Sequence, residues 1–347
     1  MILARTLHRL RTAKVIRLVL VGTVLVSVLL TIFFNLVKPQ PAPHINYGIN
    51  FSQKYATDLG LDWRKAYLTI LDELKPKYAR LVVYWDITEP QISQYNYSDI
   101  IWQLEEAKKR DVKVILTMGR KVLRYPECHE PAWWKQSTDS AFKEAALLKY
   151  IATTTNTLEG YDNILMWQVE NEPMYPFGDC QKQTRQTVEQ EIAAVRELNA
   201  RPILIQDSGE GGFWRPDYIL GDYLGISMYR RTWFNFYKEV TGIAFYVEYP
   251  IAHWAYKLKA VLTGVPVDKI IVTELQGEPW GPEINSKLSD EEARKTMSEQ
   301  QFLETISYAQ KSGFGNLYFW GAEWWLWEKE VKANPFYWET AKAVIQN

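Results

Sequence analysis

The chain has 347 residues, is 47% hydrophobic and 23% charged, and balances Lys+Arg 40 against Asp+Glu 41. That composition is globular, and two cysteines exclude a disulfide-built scaffold or a Cys-rich zinc site. The near-neutral total hides an asymmetry: Arg5, Arg9, Arg11, Lys14 and Arg17 precede the first acidic residue, Asp58, and from residue 38 onward 35 basic residues face 41 acidic ones. A main domain with that sign excludes a sequence-independent phosphate-binding surface, so no nucleic-acid partner is expected.

Residues 18–37 (LVLVGTVLVSVLLTIFFNLV) carry no charge. Twenty helical residues at ~1.5 Å each span the ~30 Å hydrocarbon core of a bilayer. The basic residues come before the span, so the positive-inside rule predicts a cytoplasmic segment 1–17, a transmembrane anchor 18–37 and export of the rest. A cleaved signal peptide would have a shorter apolar core and a small-residue cleavage site, and Asn35-Leu36-Val37-Lys38-Pro39 has no such pattern. Residues 38–43 read as a short Pro-containing linker.

From residue 44 to the end, strand and helix alternate. Predicted strands at 44–51, 78–85, 112–118, 163–169, 202–207, 224–229, 269–275 and 315–320 are each followed by a helical stretch: 63–74, 98–110, 139–157, 182–198, 216–223, 251–263, 289–311 and 335–345. The strands are apolar and β-branched, as expected for strands buried on both faces. Eight such units predict an α/β (β/α)8 TIM barrel over 44–347. A doubly wound dinucleotide-binding sheet would carry G-x-G-x-x-G after its first strand, and NFSQKYATDLG does not. No cofactor is expected.

Chemistry in such barrels collects where strands end at their carboxyl side. The fourth predicted strand runs into Trp167-Gln168-Val169-Glu170-Asn171-Glu172-Pro173, and the seventh into Thr273-Glu274-Leu275. These two strands lie roughly across the mouth from each other, so a carboxyl from each can face one bond, the requirement for glycosidic cleavage. Here the sequence resembles the retaining glycoside hydrolase clan built on the (β/α)8 barrel, whose cellulase-like members include family 5, over nearly the whole predicted barrel. The resemblance implies Glu172 as acid/base, Glu274 as nucleophile, Asn171 as a contact to the sugar 2-hydroxyl, Arg80 as support for the nucleophile and Trp320 as the platform under the sugar. Trp85, in Trp85-Asp86-Ile87-Thr88-Glu89-Pro90, is similar to the loop after strand two in these enzymes. Where cellulase-like members carry His-x-Tyr, this chain has Ser227-Met228-Tyr229, so Tyr229 remains to hydrogen-bond the nucleophile and the histidine is missing.

Read without the resemblance, Glu-Asn-Glu-Pro is also compatible with a charged loop start, and Arg80 with a structural ion pair. Alternation lets Glu170 point into the mouth beside Glu172 as a reserve acid, and Glu278 is a reserve nucleophile or sugar contact. Aromatic residues make up 14% of the chain. Many fall after strands: Trp133-Trp134, Tyr175, Phe177, Phe213-Trp214, Trp233, Phe234, Phe236, Tyr237, Trp280, Trp324, Trp325 and Trp327. Pyranose faces stack on aromatic rings, so a cleft lined by part of this set would suit a carbohydrate substrate, the rest being core. Arg230-Arg231 and the aromatics that follow would also suit a membrane surface.

Cys128 and Cys180 follow adjacent strands and are candidates for a disulfide in an exported protein. The histidines (His8, His44, His129, His253) have no ligand spacing, so no metal is expected; His129 is either a substrate contact or a surface-loop residue. The expected function is retaining cleavage or transfer of a β-linked glycan outside the cytoplasmic membrane. A surface glycan-binding barrel without catalysis is the second reading.

Overall fold

The computed structural model describes residues 2–36, 40–180, 183–234, 242 and 244–347, with side chains omitted for 2–13 and 34–36. Val37, Lys38, Pro39, Phe236 and Tyr237, which figure in the expectations above, lie outside the described residues. The chain divides into two compact units, Met1–Gln40 and Pro41–Asn347. The first contains the helix Ile2–Leu36. Within it Lys14–Phe33, 20 residues of mean hydropathy 2.6, is long and apolar enough to cross a membrane, as an anchor or a signal sequence would be.

The second unit is a closed barrel. Its strands are β1 (Asn46–Asn50), β2 (Tyr78–Val82), β3 (Lys113–Met118), β4 (Ile164–Val169), β5 (Ile203–Asp207), β6 (Tyr223–Met228), β9 (Ile270–Gln276) and β10 (Asn316–Trp320), joined in that order with β10 returning to β1. All eight neighbouring pairs are parallel. This is the predicted TIM barrel, with β9 and β10 as its seventh and eighth strands.

The interior is layered. Ile115, Met166, Leu204, Ile271 and Tyr318 fill an apolar layer. Gly48 permits it, because any Cβ there would lie 2.6 Å from the Tyr318 ring. Towards the carboxyl ends the interior turns polar, with Asn50, Arg80, Thr117, Gln168, Gln206 and Thr273 hydrogen-bonded among themselves. Buried amides persist only when their hydrogen bonds are made, so this layer is a fixed floor for whatever lies above it.

Three segments differ from expectation. The single helix expected over 289–311 is two, Asp290–Met297 and Glu299–Lys311, because Ser298 and Gln301 form a capping box that starts a new helix. The region 230–250 contains an antiparallel hairpin, β7 (Arg231–Phe234) with β8 (Phe245–Glu248), in which Trp233 faces Tyr246 and Phe234 faces Phe245. Its aromatic and β-branched residues suit a pleated ribbon. Both arginines are engaged within the fold, Arg230 over the Tyr308 ring at 4.0 Å and Arg231 with Glu248 and Glu304. After β10 an additional helix, Ala322–Glu330, buries Trp324, Trp325 and Trp327 in the core.

Candidate active site

Two local irregularities place the carboxyls. Along β9, strict alternation would turn Thr273 inward and Glu274 outward. Instead β9 carries a bulge: Val272 pairs with Ile226 and Leu317, but the next pairs are Glu274 with Ser227 and Leu275 with Phe319. A bulge re-aims the side chains that follow it. Thr273 and Glu274 consequently both face the interior, while Val272 and Leu275 join the surrounding core.

At the end of β4, Glu170 and Glu172 have φ of 61° and 46°. Non-glycine residues rarely take this left-handed conformation, which here breaks the alternation. Asn171 therefore joins the interior network, and Glu170 turns sideways to accept hydrogen bonds from the Arg120 and Lys121 backbone N–H groups at 2.9 and 2.6 Å. Gly119 leaves the space, since a Cβ there would lie 2.5 Å from the Glu170 carboxyl carbon. Glu170 thus stands apart from Glu172, behind β4, where its carboxyl interacts with Glu191 rather than the mouth.

Arg80 is the hub. All five of its N–H donors are used: Nε to Gln168 at 2.7 Å, Nη1 to Asn50 at 3.1 Å and Glu274 at 3.0 Å, Nη2 to Asn171 and Gln206 at 2.6 Å each. The Glu274 Oε1 that Arg80 holds also accepts from Gln206 at 2.6 Å, and Oε2 accepts from the Tyr229 hydroxyl at 3.2 Å. Glu172 is only 7% exposed, and its carboxyl is pushed well above the usual range by burial, then by the charges of Glu274 and Glu127. One carboxyl is held by three donors, Arg80, Gln206 and Tyr229, and the other is pushed towards its protonated form, an arrangement suited to a nucleophile facing an acid.

Beside this pair sits a second charged cluster. Arg124 is held between the rings of Tyr55 and Trp320, at 3.8 and 4.1 Å, and ion-pairs with Glu278 and Glu323. Burial pushes Glu278 up to about 7 despite Arg124. Trp320 packs with Val82, Tyr84, Val122 and Leu123 on the same side of the mouth. Trp280 stands edge-on to Tyr229 at 4.8 Å and contacts Phe177 at 5.3 Å.

Arg80, Asn171, Glu172, Tyr229, Glu274, Glu278, Trp280 and Trp320 are thus brought to one end of the barrel. Trp85 is not among them: it is fully enclosed, stacked on Tyr150 at 4.9 Å, with its indole N–H bonded to Glu89. Its place in the loop after β2 makes it core, supporting that loop from beneath. His129 is neither a surface residue nor exposed to a ligand. It is buried between Lys54 Nζ and the Arg124 carbonyl, with its pKa lowered to about 4 by burial and then by Lys54.

Cys128 and Cys180 form a disulfide tying the loop after β3 to the loop after β4. Their sulfurs lie within 4.8 Å of a Glu130 carboxylate oxygen, and their bond to each other removes both thiolates as ligands. Sequence reasoning missed Gln168 and Gln206, although a lone amide near the end of an otherwise apolar strand is a visible signal. It also missed Lys121, Arg124, Glu127 and Glu323, which lie outside the strands and carry no such mark.

No family model matches the sequence, and no curated protein matches it. Solved structures do resemble the fold. A glycoside hydrolase family 5 subfamily 18 protein from Streptomyces cattleya, in complex with GlcNAc, is 13% identical with a TM-score of 0.54, over 81% of this chain and 71% of that one. One of the same subfamily from Bifidobacterium longum, with bound Manβ1-4GlcNAc, is 14% identical with a TM-score of 0.56, over 80% and 69%. An exo-β-1,4-mannosidase from an Opitutaceae bacterium is 16% identical with a TM-score of 0.55, over 89% and 62%. This chain shares their fold. At these identities the likeness extends to the barrel and its closure.

Proposed function

We propose that the barrel is a retaining glycosidase or transglycosidase for a β-linked glycan, held outside the cytoplasmic membrane by its N-terminal helix. The observation that carries this reading is the unequal pair Glu274 and Glu172, one clamped by Arg80, Gln206 and Tyr229 and the other buried facing its charge. Glu274 Oε1 is occupied by two donors, so Oε2 is the oxygen that attacks the anomeric carbon. Glu172 gives its proton to the departing glycosidic oxygen, and a glycosyl ester forms on Glu274. Ester formation removes the Glu274 charge, one of the causes that raise Glu172, so Glu172 is left as a carboxylate that can deprotonate the incoming water or acceptor. Trp280, Phe177 and Tyr229 offer aromatic surface beside the pair, and the solved neighbours that bind or cleave β-mannosyl sugars support a β-linked substrate.

The test is turnover by the full-length protein of aryl β-mannosides, β-glucosides and β-galactosides, with Glu172→Gln and Glu274→Ala alongside. Cleavage that falls by a factor of 10³ or more in both variants, on the order expected for an acid and a nucleophile, supports the reading. Recovery of Glu274→Ala by azide, giving the glycosyl azide of inverted configuration, would establish the covalent route. A folded protein that binds glycans but turns over none of a broad panel would favour a binding barrel. Protease protection in inverted and right-side-out vesicles tests the topology: the barrel should be digested only from the outer face.

A further inference from the structure

A third carboxyl, Glu127, stands beside the pair and is 5% exposed. It lies in the loop after β3 with φ of 66°, next to Cys128 of the disulfide, and its own carbonyl accepts from the Val122 N–H. Its Oε1 accepts from Asn171 Nδ2 at 3.2 Å. Its Oε2 makes no hydrogen bond and lies 3.4 Å from Lys121 Nζ. Both neighbours lead to the reacting groups. Asn171 Oδ1 is bonded to the Arg80 guanidinium that holds Glu274, and Lys121 Nζ donates to the Glu172 carbonyl at 2.7 Å and the Tyr175 carbonyl at 3.0 Å. Among the described residues, this is the side chain that joins the surroundings of the nucleophile to the backbone of the acid.

Resting on the function proposed above, we propose that Glu127 is a positioning residue: it holds Asn171 and Lys121 in place and supplies the negative charge facing Glu172 from the β3 side. The charged and titratable groups around Glu172 are Glu274 from β9, Asp207 from β5, Lys121 and Glu127 from the loop after β3, together with Arg80 and the hydroxyls of Tyr175, Tyr229 and Tyr249. Of these, Glu274, Glu127 and Asp207 favour the protonated acid and Lys121 opposes it. Removing the Glu127 charge also leaves Lys121 without its ion pair, so both changes act on Glu172 in the same direction. Glu127 itself titrates at about 7, raised by burial, with Lys121 opposing and Glu274 adding to the rise. Its influence on Glu172 is therefore exerted above that pH and fades below it.

The decisive measurement is a carboxyl ¹³C NMR titration of full-length, ¹³C-glutamate-labelled protein in detergent, with the Glu172 resonance identified by its loss in Glu172→Gln. In Glu127→Gln the Glu172 midpoint should fall by about one pH unit, the size expected for losing one nearby charge. An unchanged midpoint in a folded variant overturns the proposal. With a cleavable aryl glycoside, the basic limb of kcat/KM should move down by the same amount, and the variant and wild-type profiles should converge well below pH 7. Glu127→Asp keeps the charge but is one methylene short of Asn171, so it should keep the wild-type limb while lowering kcat. Wild-type turnover with an unmoved limb in Glu127→Gln would reject this inference and leave the glycosidase reading standing. A shifted Glu172 midpoint in a protein that cleaves nothing would do the reverse.

Discussion

Arg80 satisfies five acceptors from four different strand ends and has no solvent exposure. Its charge is balanced by Glu274, so removing it leaves a carboxylate buried with only Gln206 and Tyr229. Arg80→Leu should therefore cost about 3–5 kcal/mol, measured by urea unfolding, and Arg80→Lys should recover little because an ammonium has three donors where five are needed. Glu172 and Glu274 are legible in the sequence because each ends an apolar strand next to a recognisable motif. Arg80 is legible as a charge inside an apolar strand. Glu127 is not, because its approach to Asn171 depends on a left-handed backbone and on a loop reached only through tertiary contact. Trp85 misleads for the opposite reason: its motif lies in a rim loop while its ring points down into the core.

Among the elements, the strands are the most readable, since burial on both faces leaves short apolar runs, as in Ile270-Ile271-Val272 of β9, where all seven residues are buried. Helix ends are set by local chemistry that periodicity does not register. The Ser298 cap interrupts the pattern from 289 to 311, and replacing Ser298 with Ala should destabilise the protein by about 1 kcal/mol in thermal or urea melts. The 230–250 segment reads as a loop because its hairpin strands are only four residues each. The disulfide joins two loops separated by 52 residues. Its removal in a Cys128→Ser, Cys180→Ser double variant should cost about 2–4 kcal/mol by the loop-entropy argument, measured against the oxidised wild type under the same conditions. The same variant should lose activity before it unfolds, because the loops it releases carry Glu127 and the residues following Glu172.

For the whole molecule, the density of buried carboxyls at one end of the barrel has a consequence for stability against pH. Glu127 and Glu278 titrate at about 7 and Asp217 at about 8, each raised chiefly by burial. A carboxyl whose folded pKa exceeds its unfolded value binds more protons in the folded state, so its contribution is full at low pH and is lost as pH rises to the folded pKa. His129, lowered to about 4, acts oppositely between that pH and its unfolded value near 6.5. Three carboxyls outweigh one imidazole. The midpoint of urea unfolding should accordingly be higher near pH 5 than near pH 8, and a flat or rising profile would contradict the burial seen here. The bulge in β9 bears on how this barrel could change over time. The bulge adds one extra inward residue, Thr273, to a strand whose pairing on both sides is otherwise regular. Deleting Thr273 would make the ladder regular and leave Glu274 facing inward, because it would then follow the outward-facing Val272 directly and still pair with Ser227. A lineage could thus lose that codon and keep its carboxylate in the mouth, the change falling instead on Gln206, which Thr273 holds against Glu274.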